Sequence, residues 1–165
     1  MTAANGHQIT TSVVADHMAK DPIVIRADAS LSDAATLMDR RNIPGLPVVD
    51  HTGSLVGVLS QTDLNRARST EYLWVNWPGL AVRHLMTSPA ITIHRSTPLI
   101  VAARKMEQHQ IHRLVVVEDG DDSTPIGILS MTDLIHALAV ETAAHHAVAG
   151  PGAHPHGPAD EKPVR

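Results

Sequence analysis

Two stretches of this sequence set a serine hydroxyl three residues ahead of a carboxylate, and they are nearly one stretch written twice: Gly57-Val58-Leu59-Ser60-Gln61-Thr62-Asp63 and Gly127-Ile128-Leu129-Ser130-Met131-Thr132-Asp133. Each follows an apolar run rich in β-branched residues and precedes a helical pattern, so each reads as strand, tight turn and helix start. Ser60 and Ser130 fall at the N-cap with Asp63 and Asp133 three residues on, the spacing of a capping box with Asp in place of Glu. Capping is one chemistry such residues perform. The other begins from the free N–H groups and positive dipole end of a helix N-terminus, which favour a nearby anion. A carboxylate there repels phosphate but accepts both hydroxyls of a ribose, as the acidic residue of dinucleotide-binding folds does. One copy would stop at capping; two copies inside a longer repeat point to paired nucleotide pockets.

Other chemistries find no support. No serine lies in a nucleophile elbow and no glycine-rich loop is followed by a lysine, so no catalytic residues are assigned. Without cysteine there is no disulfide, no thiolate nucleophile and no cysteine zinc site, which suits a reducing cytoplasm. Histidines gather at His109 and His112, at His145-His146 and at His154 and His156, but no cysteine or carboxylate is arranged around them, and no metal site is assigned. A net charge of −4 with no Lys/Arg run argues against nucleic acid. No segment approaches the ~18 apolar residues of a membrane span, and the first residues lack a basic stretch followed by an apolar one. The expected location is the cytoplasm, away from membranes.

The elements that position the two motifs emerge when the chain is laid against itself. Met18 meets Met86, Ile23 meets Ile91, Leu31 meets Leu99, Ala34-Ala35 meets Ala102-Ala103 and Met38 meets Met106, all at an offset of 68 (86 − 18). Ile43, Leu46 and Val48-Val49 continue onto Ile111, Leu114 and Val116-Val117, after which two residues enter a turn and Gly57 meets Gly127 at an offset of 70. Each copy begins with a short amphipathic helix, Val13 to Ala19 or Val82 to Met86, and passes into a short strand, Ile23 to Ile25 or Ile91 to Ile93. A helix follows, capped by Ser30 with Asp33 three on, or by Thr97 with Pro98 at its first position. Its apolar residues recur at i, i+3, i+4 and i+7, so one face is buried. Two strands come next, Leu46 to Val49 with Leu55 to Leu59, and Leu114 to Val117 with Ile126 to Leu129, joined by the polar turns Asp50 to Ser54 and Asp119 to Pro125. The motif helix closes each copy.

The fold class is therefore α/β (α+β), with two tandem βαββα-type repeats, each with a flanking N-terminal helix. Repeat one covers residues 13–68, a connector 69–81, repeat two 82–140, and 141–165 is a mostly disordered tail, Pro/Gly-rich from Gly150. The aromatic residues Tyr72, Trp74 and Trp77 all sit in the connector, where burial of their large area would anchor it to the body or to a partner.

This arrangement resembles a tandem pair of cystathionine-β-synthase (CBS) domains, a Bateman module. The resemblance rests on Ile43-Pro44-Gly45-Leu46-Pro47-Val48-Val49-Asp50 followed by Gly57 to Asp63, and on Ile111-His112-Arg113-Leu114-Val115-Val116-Val117 followed by Gly127 to Asp133, and covers about residues 13 to 140. It implies one pseudo-twofold module with two clefts, adenine nucleotides (AMP, ADP or ATP) or related adenosyl compounds as ligands, no required cofactor, no catalysis, and homodimers.

Carried over by resemblance, Asp63 and Asp133 would hold ribose, with Ser60, Thr62, Ser130 and Thr132 facing ribose or phosphate. Ile23 and Ile91, with the strands around Pro47 and Val115, would sandwich the adenine. His112 and Arg113 would reach phosphate, whereas Pro44-Gly45 stands in their place in copy one, so the two clefts should be unequal. The sequence leaves open whether Arg113 serves the Asp63 or the Asp133 cleft. The reading is a regulatory sensor whose ligand shifts the two copies for a protein partner to detect. The alternatives are a ligand-free dimeric scaffold and a metal-binding protein. The apolar helix Leu134 to Val140 and its counterpart Asp63 to Ala67 are expected to pack across a homodimer interface.

Overall fold

The computed structural model describes residues 12–70, 75 and 79–148, with backbone only for 141–148. The elements run α1 (Val14–His17), β1 (Ala19–Lys20), β2 (Ile25–Arg26), α2 (Leu31–Arg41), β3 (Gly45–Val49), β4 (Leu55–Ser60), α3 (Gln61–Arg68), a 3₁₀ turn (Val82–His84), β5 (Thr92–His94), α4 (Leu99–His109), β6 (Arg113–Glu118), β7 (Asp121–Ser130) and α5 (Met131–Val148). Two mixed sheets result, one ordered β2-β3-β4 and the other β1-β7-β6-β5. In each, a parallel pair (β2 with β3, β5 with β6) adjoins an antiparallel hairpin (β3 with β4, β6 with β7).

The helical periodicity of each copy becomes one core. Leu31, Ala34 and Met38 of α2 bury against Leu46, Val48 and Leu59, with Leu64 of α3 closing the cluster. Ala102 and Met106 of α4 do the same with Leu114, Val116, Leu129 and Leu134. Ser30 caps α2 by accepting a 3.0 Å hydrogen bond from the Asp33 N–H.

The flanking segments change places. Val14 is buried in the second core and Val82 in the first. Val14 N–H donates to the Thr97 carbonyl and Ala15 N–H to Arg95, while Val82 N–H donates to Ala29 and Arg83 N–H to Ala27, all at 2.9 Å. These bonds map onto one another at the repeat offset of 68 (82 − 14, 97 − 29), so the exchange is reciprocal. Strand β1 likewise pairs with β7 (Ala19 opposite Ile128), and Thr87 bridges Val58 on the edge of β4. The glycines of the repeated motif permit this approach: a Cβ on Gly57 would stand 2.7 Å from the Thr87 carbonyl oxygen, and one on Gly127 2.6 Å from Met18 Sδ.

That exchange accounts for several departures from the sequence reading. The helix expected over Val13 to Ala19 ends at His17, because Ala19 and Lys20 are drawn into the second sheet. Its counterpart over Val82 to Met86 tightens to a 3₁₀ turn. Thr97 is not the cap of α4: Pro98, at the offset of 68 from the cap Ser30, holds the N-cap position, its own carbonyl accepting from Val101 and Ala102. The parallel strands are shifted, since pairing begins at Ile25 and Thr92, leaving Ile23 and Ile91 just ahead of them. The turn expected over Asp119 to Pro125 is shorter, because Asp121 already pairs with Glu118 and the extra residues are absorbed as irregular register in β7.

The hairpin turns are held by local carboxylates. Asp50 Oδ1 accepts from the Thr52 N–H (2.8 Å) and hydroxyl (2.6 Å), and the Thr52 hydroxyl bond holds its carboxyl below the ordinary range. Asp121 Oδ1 accepts from the Ser123 N–H (2.8 Å) and hydroxyl (2.6 Å); hydroxyl bonds from Ser123 and then Thr124 lower its pKa to about 2.

Candidate functional site

Both motif turns form the reciprocal box that their spacing predicts. Ser60 N–H and Oγ–H donate to Asp63 Oδ2 at 2.8 and 2.6 Å, and Asp63 N–H donates back to Ser60 Oγ at 3.2 Å. The corresponding distances for Ser130 and Asp133 are 2.7, 2.6 and 3.3 Å. Each box fixes one carboxylate oxygen and leaves the other, Oδ1, with no hydrogen bond among the described residues. Each helix start is also tied to the residue just ahead of its hairpin's first strand: Gln61 N–H donates to the Pro44 carbonyl and Met131 N–H to that of His112, both at 2.9 Å.

The boxes differ in what surrounds them. Ser60, Thr62 and Asp63 line a cavity of about 370 Å³ whose walls come from both copies. Pro47 and Val58 form part of the first-copy wall, and Ile91, His112, Arg113 and Val115 come from the second. Eight of the twelve expected ligand residues thus converge on one space. Ile23, Ser130, Thr132 and Asp133 are not on its walls. Arg113, whose cleft the sequence left open, lies on the Asp63 cavity.

Arg66 also lines this cavity. It was not among the residues chosen from sequence, although it follows Asp63 by three and Thr62 by four, the spacing that puts all three on one helix face. The wall carries one carboxylate, Asp63, against two guanidiniums, Arg66 and Arg113, with His112 adding a further positive charge when protonated. The remaining lining is largely apolar, the composition of a small-molecule site with a few directing polar groups.

The metal reading gains no cluster: among the described residues no three His, Cys, Asp or Glu side chains gather as a ligand set. His109 lies in the last turn of α4, while the side chains of His145 and His146, and all of His154 and His156, lie outside the described residues. So do Tyr72, Trp74, Trp77 and the tail from Gly150. No helix among the described residues is long and apolar enough to cross a membrane.

Two mixed sheets with reciprocally exchanged flanks, each ending in a serine-aspartate helix start, define a tandem α+β module. The chain matches the CBS domain family over residues 14–70 and 82–140, and it belongs to that family. Among solved structures it is similar to the CBS domain pair of protein MJ0100 in complex with 5′-methylthioadenosine and S-adenosyl-L-methionine: TM-score 0.70, 27% identity, covering 80% of this chain and 99% of that one. It is also similar to CBSX2 in complex with AMP: TM-score 0.68, 30% identity, covering 79% and 98%. CBSX2 comes from Arabidopsis thaliana. Curated relatives include a homoserine O-acetyltransferase of Methanococcoides burtonii, 31% identical over 76% of this chain and 24% of that protein. Another is an inosine-5′-monophosphate dehydrogenase of Helicobacter pylori, 31% identical over 69% of this chain and 22% of that enzyme. The chain spans about a quarter of the length of these relatives.

Proposed function

We propose that this chain is a regulatory module, without catalysis of its own, that binds an adenine nucleotide or related adenosyl ligand in the Asp63 cavity. The observation that carries the reading is the convergence of Ser60, Thr62 and Asp63 from one copy with Ile91, Arg113 and Val115 from the other on a single space. The box turns Asp63 so that Oδ2 is occupied and Oδ1 can accept a ribose hydroxyl. Adenosyl ligands bound by two structurally similar CBS pairs support the ligand class. Because the walls belong to both copies, a ligand that bridges them favours one relative placement over another, and a partner that distinguishes the placements reads the ligand's presence.

Calorimetry of the whole chain with AMP and with 5′-methylthioadenosine tests this. Asp63→Asn should weaken binding roughly ten- to a hundredfold, the worth of a charge-assisted hydrogen bond, while the unfolding midpoint barely moves because the Asn amide oxygen can still accept from the Ser60 N–H. Asp133→Asn should leave that site intact. Undiminished affinity in Asp63→Asn would refute the ribose assignment.

A homodimer forms part of the same proposal. Ile100 and Val101 on α4, and Ile135, Leu138 and Val140 on α5, are large apolar residues left 44–69% exposed. The counterpart α3 buries Leu64 and Ala67 as α5 buries Leu134 and Ala137, but it carries Asn65 and Arg68 where α5 exposes Ile135 and Leu138, so the second copy offers the stronger self-association surface. Light scattering should give a dimer at micromolar concentration and a monomer for Leu138→Asp. A wild-type monomer favours neither the dimer nor the scaffold alternative.

A further inference from the structure

A second cavity, of about 510 Å³, adjoins the Asp63 cavity. Pro89 and Ala90 line both, but no polar side chain is common to the two. Its apolar wall includes Leu55 from the first copy and, from the second, Ile93 of β5 and Val101 of α4. Lys105, one helical turn beyond Val101, brings an ammonium to the same space. An apolar wall with a few directing polar groups is the composition of a small-molecule site, and the volume falls in the range of such sites.

The charges of this cavity do not cancel within the chain. His94 Nε2 stands 3.3 Å from Asp122 Oδ1, and its Nδ1 lies 3.1 Å from the Glu118 carbonyl oxygen, so the one carboxylate on the wall is matched to the imidazole. Lys105 is half-buried and forms no ion pair among the described residues. The hydroxyls of Thr92 and Thr97, also on the wall, have no hydrogen-bond partner among the described residues. One unpaired ammonium with two free hydroxyls suits a monoanion, whereas a dianion would meet one cation too few and Asp122 beside it. The apolar wall suits a short hydrocarbon body attached to that anion.

The repeated scaffold does not require this arrangement. At the offset of 68, Lys105 corresponds to Leu37 (105 − 68), Val101 to Asp33 and His94 to Arg26, which pairs with Asp28 at 2.9 Å. Asp122 comes from the hairpin turn that is two residues longer in the second copy (70 − 68). The first copy thus folds with a leucine in place of the ammonium and a carboxylate in place of an apolar wall residue.

We propose that this cavity is a second small-molecule site, for a monocarboxylate with a short aliphatic body, whose carboxylate pairs with Lys105 and accepts hydrogen bonds from Thr92 and Thr97. It is separate from the adenosyl site and does not rest on that reading.

Titration of the whole isotope-labelled chain with 4-methylpentanoate, followed by amide shifts in NMR, tests it. The acid should bind with a dissociation constant of about a millimolar or below and move the amides of Ile93, His94 and Val101. The neutral 4-methylpentan-1-ol and the cationic 4-methylpentan-1-amine should bind at least about tenfold more weakly. Lys105→Gln should weaken the acid roughly tenfold or more, and Lys105→Arg should keep most of the affinity. Asp63→Asn should leave it unchanged. An unchanged unfolding midpoint in Lys105→Gln excludes a folding defect, and the comparison of acid with alcohol needs no variant. Equal affinity for acid and alcohol, undiminished affinity in Lys105→Gln, or shifts confined to residues of the Asp63 cavity would overturn the site. So would the absence of any shift with the acid at about 10 mM.

Discussion

At the first motif the Ser60 hydroxyl meets Asp63 at 2.6 Å, and at the second the Ser130 hydroxyl meets Asp133 at the same distance, yet only the first box opens onto the described cavity. Backbone and capping are repeated almost to the ångström. What differs is the surroundings of each box. The Asp63 box shares its cavity with His112 and Arg113 of the other copy, whereas Asp133 lines no part of that space. A duplicated scaffold keeps what the chain needs to fold and is free to vary what a ligand would touch.

If the two copies are equivalent as scaffolds, the heaviest perturbations should cost them equally. Met38 and Met106 occupy matching positions and are 1% and 0% exposed. Met38→Ala and Met106→Ala should each destabilise the chain by about 2–5 kcal/mol in denaturant unfolding. A cost below about 1 kcal/mol for one of them would break the equivalence.

The motif glycines should separate the copies. A Cβ at Gly57 meets a backbone oxygen, Thr87 O at 2.7 Å, which has little room to yield. At Gly127 the nearest atom is the sulfur of Met18 at 2.6 Å, the movable end of a flexible side chain, with the Ala19 oxygen further off at 3.0 Å. Gly57→Ala should therefore cost about 1–3 kcal/mol and Gly127→Ala measurably less. The reverse order in unfolding midpoints would mean that the two exchanged flanks are not held as described.

The smallest expected difference lies in the hairpin turns. Asp50 is held low chiefly by the Thr52 hydroxyl, and Asp121, bonded by the Ser123 and Thr124 hydroxyls, is lowered to about 2. Because the folded pKa lies below the unfolded value of about 3.9, the contribution of Asp121 to stability is present above that value and is lost as pH falls from there toward the folded one. Carboxyl titration by NMR should show Asp121 protonating below an ordinary aspartate, and Asp121→Asn should remove its small share of the acid destabilisation. A midpoint near 4 for Asp121 would remove the distinction.

Much of this architecture was legible because it is written in local periodicity. Leu31, Ala34 and Met38 recur at helical spacing and are buried, and Ser60 with Asp63 announces a box that forms as spaced. The misread parts are those whose partners lie far along the chain. Val13 to Ala19 has the pattern of a helix, but its last turn is given up to pairing with β7. Arg66 was readable by spacing and was passed over, since a lone arginine on an exposed helix face announces nothing until a cavity is seen beside it.

The sequence by itself determined the duplication, the two capped helix starts and the inward-facing positions of each helix and strand. The helix starts and inward-facing positions follow from local spacing, governed by the 3.6- and 2-residue periods. It also fixed the inventory of charges, with arginines at 66 and 113 and a proline and glycine in place of the His112-Arg113 pair in the first copy. Only the tertiary structure decided that Asp63, rather than Asp133, shares a cavity with Arg113, and that each flank serves the opposite core. That choice depends on how two similar bodies pack across a pseudo-twofold axis, and no local pattern in either copy encodes the face that its twin will present.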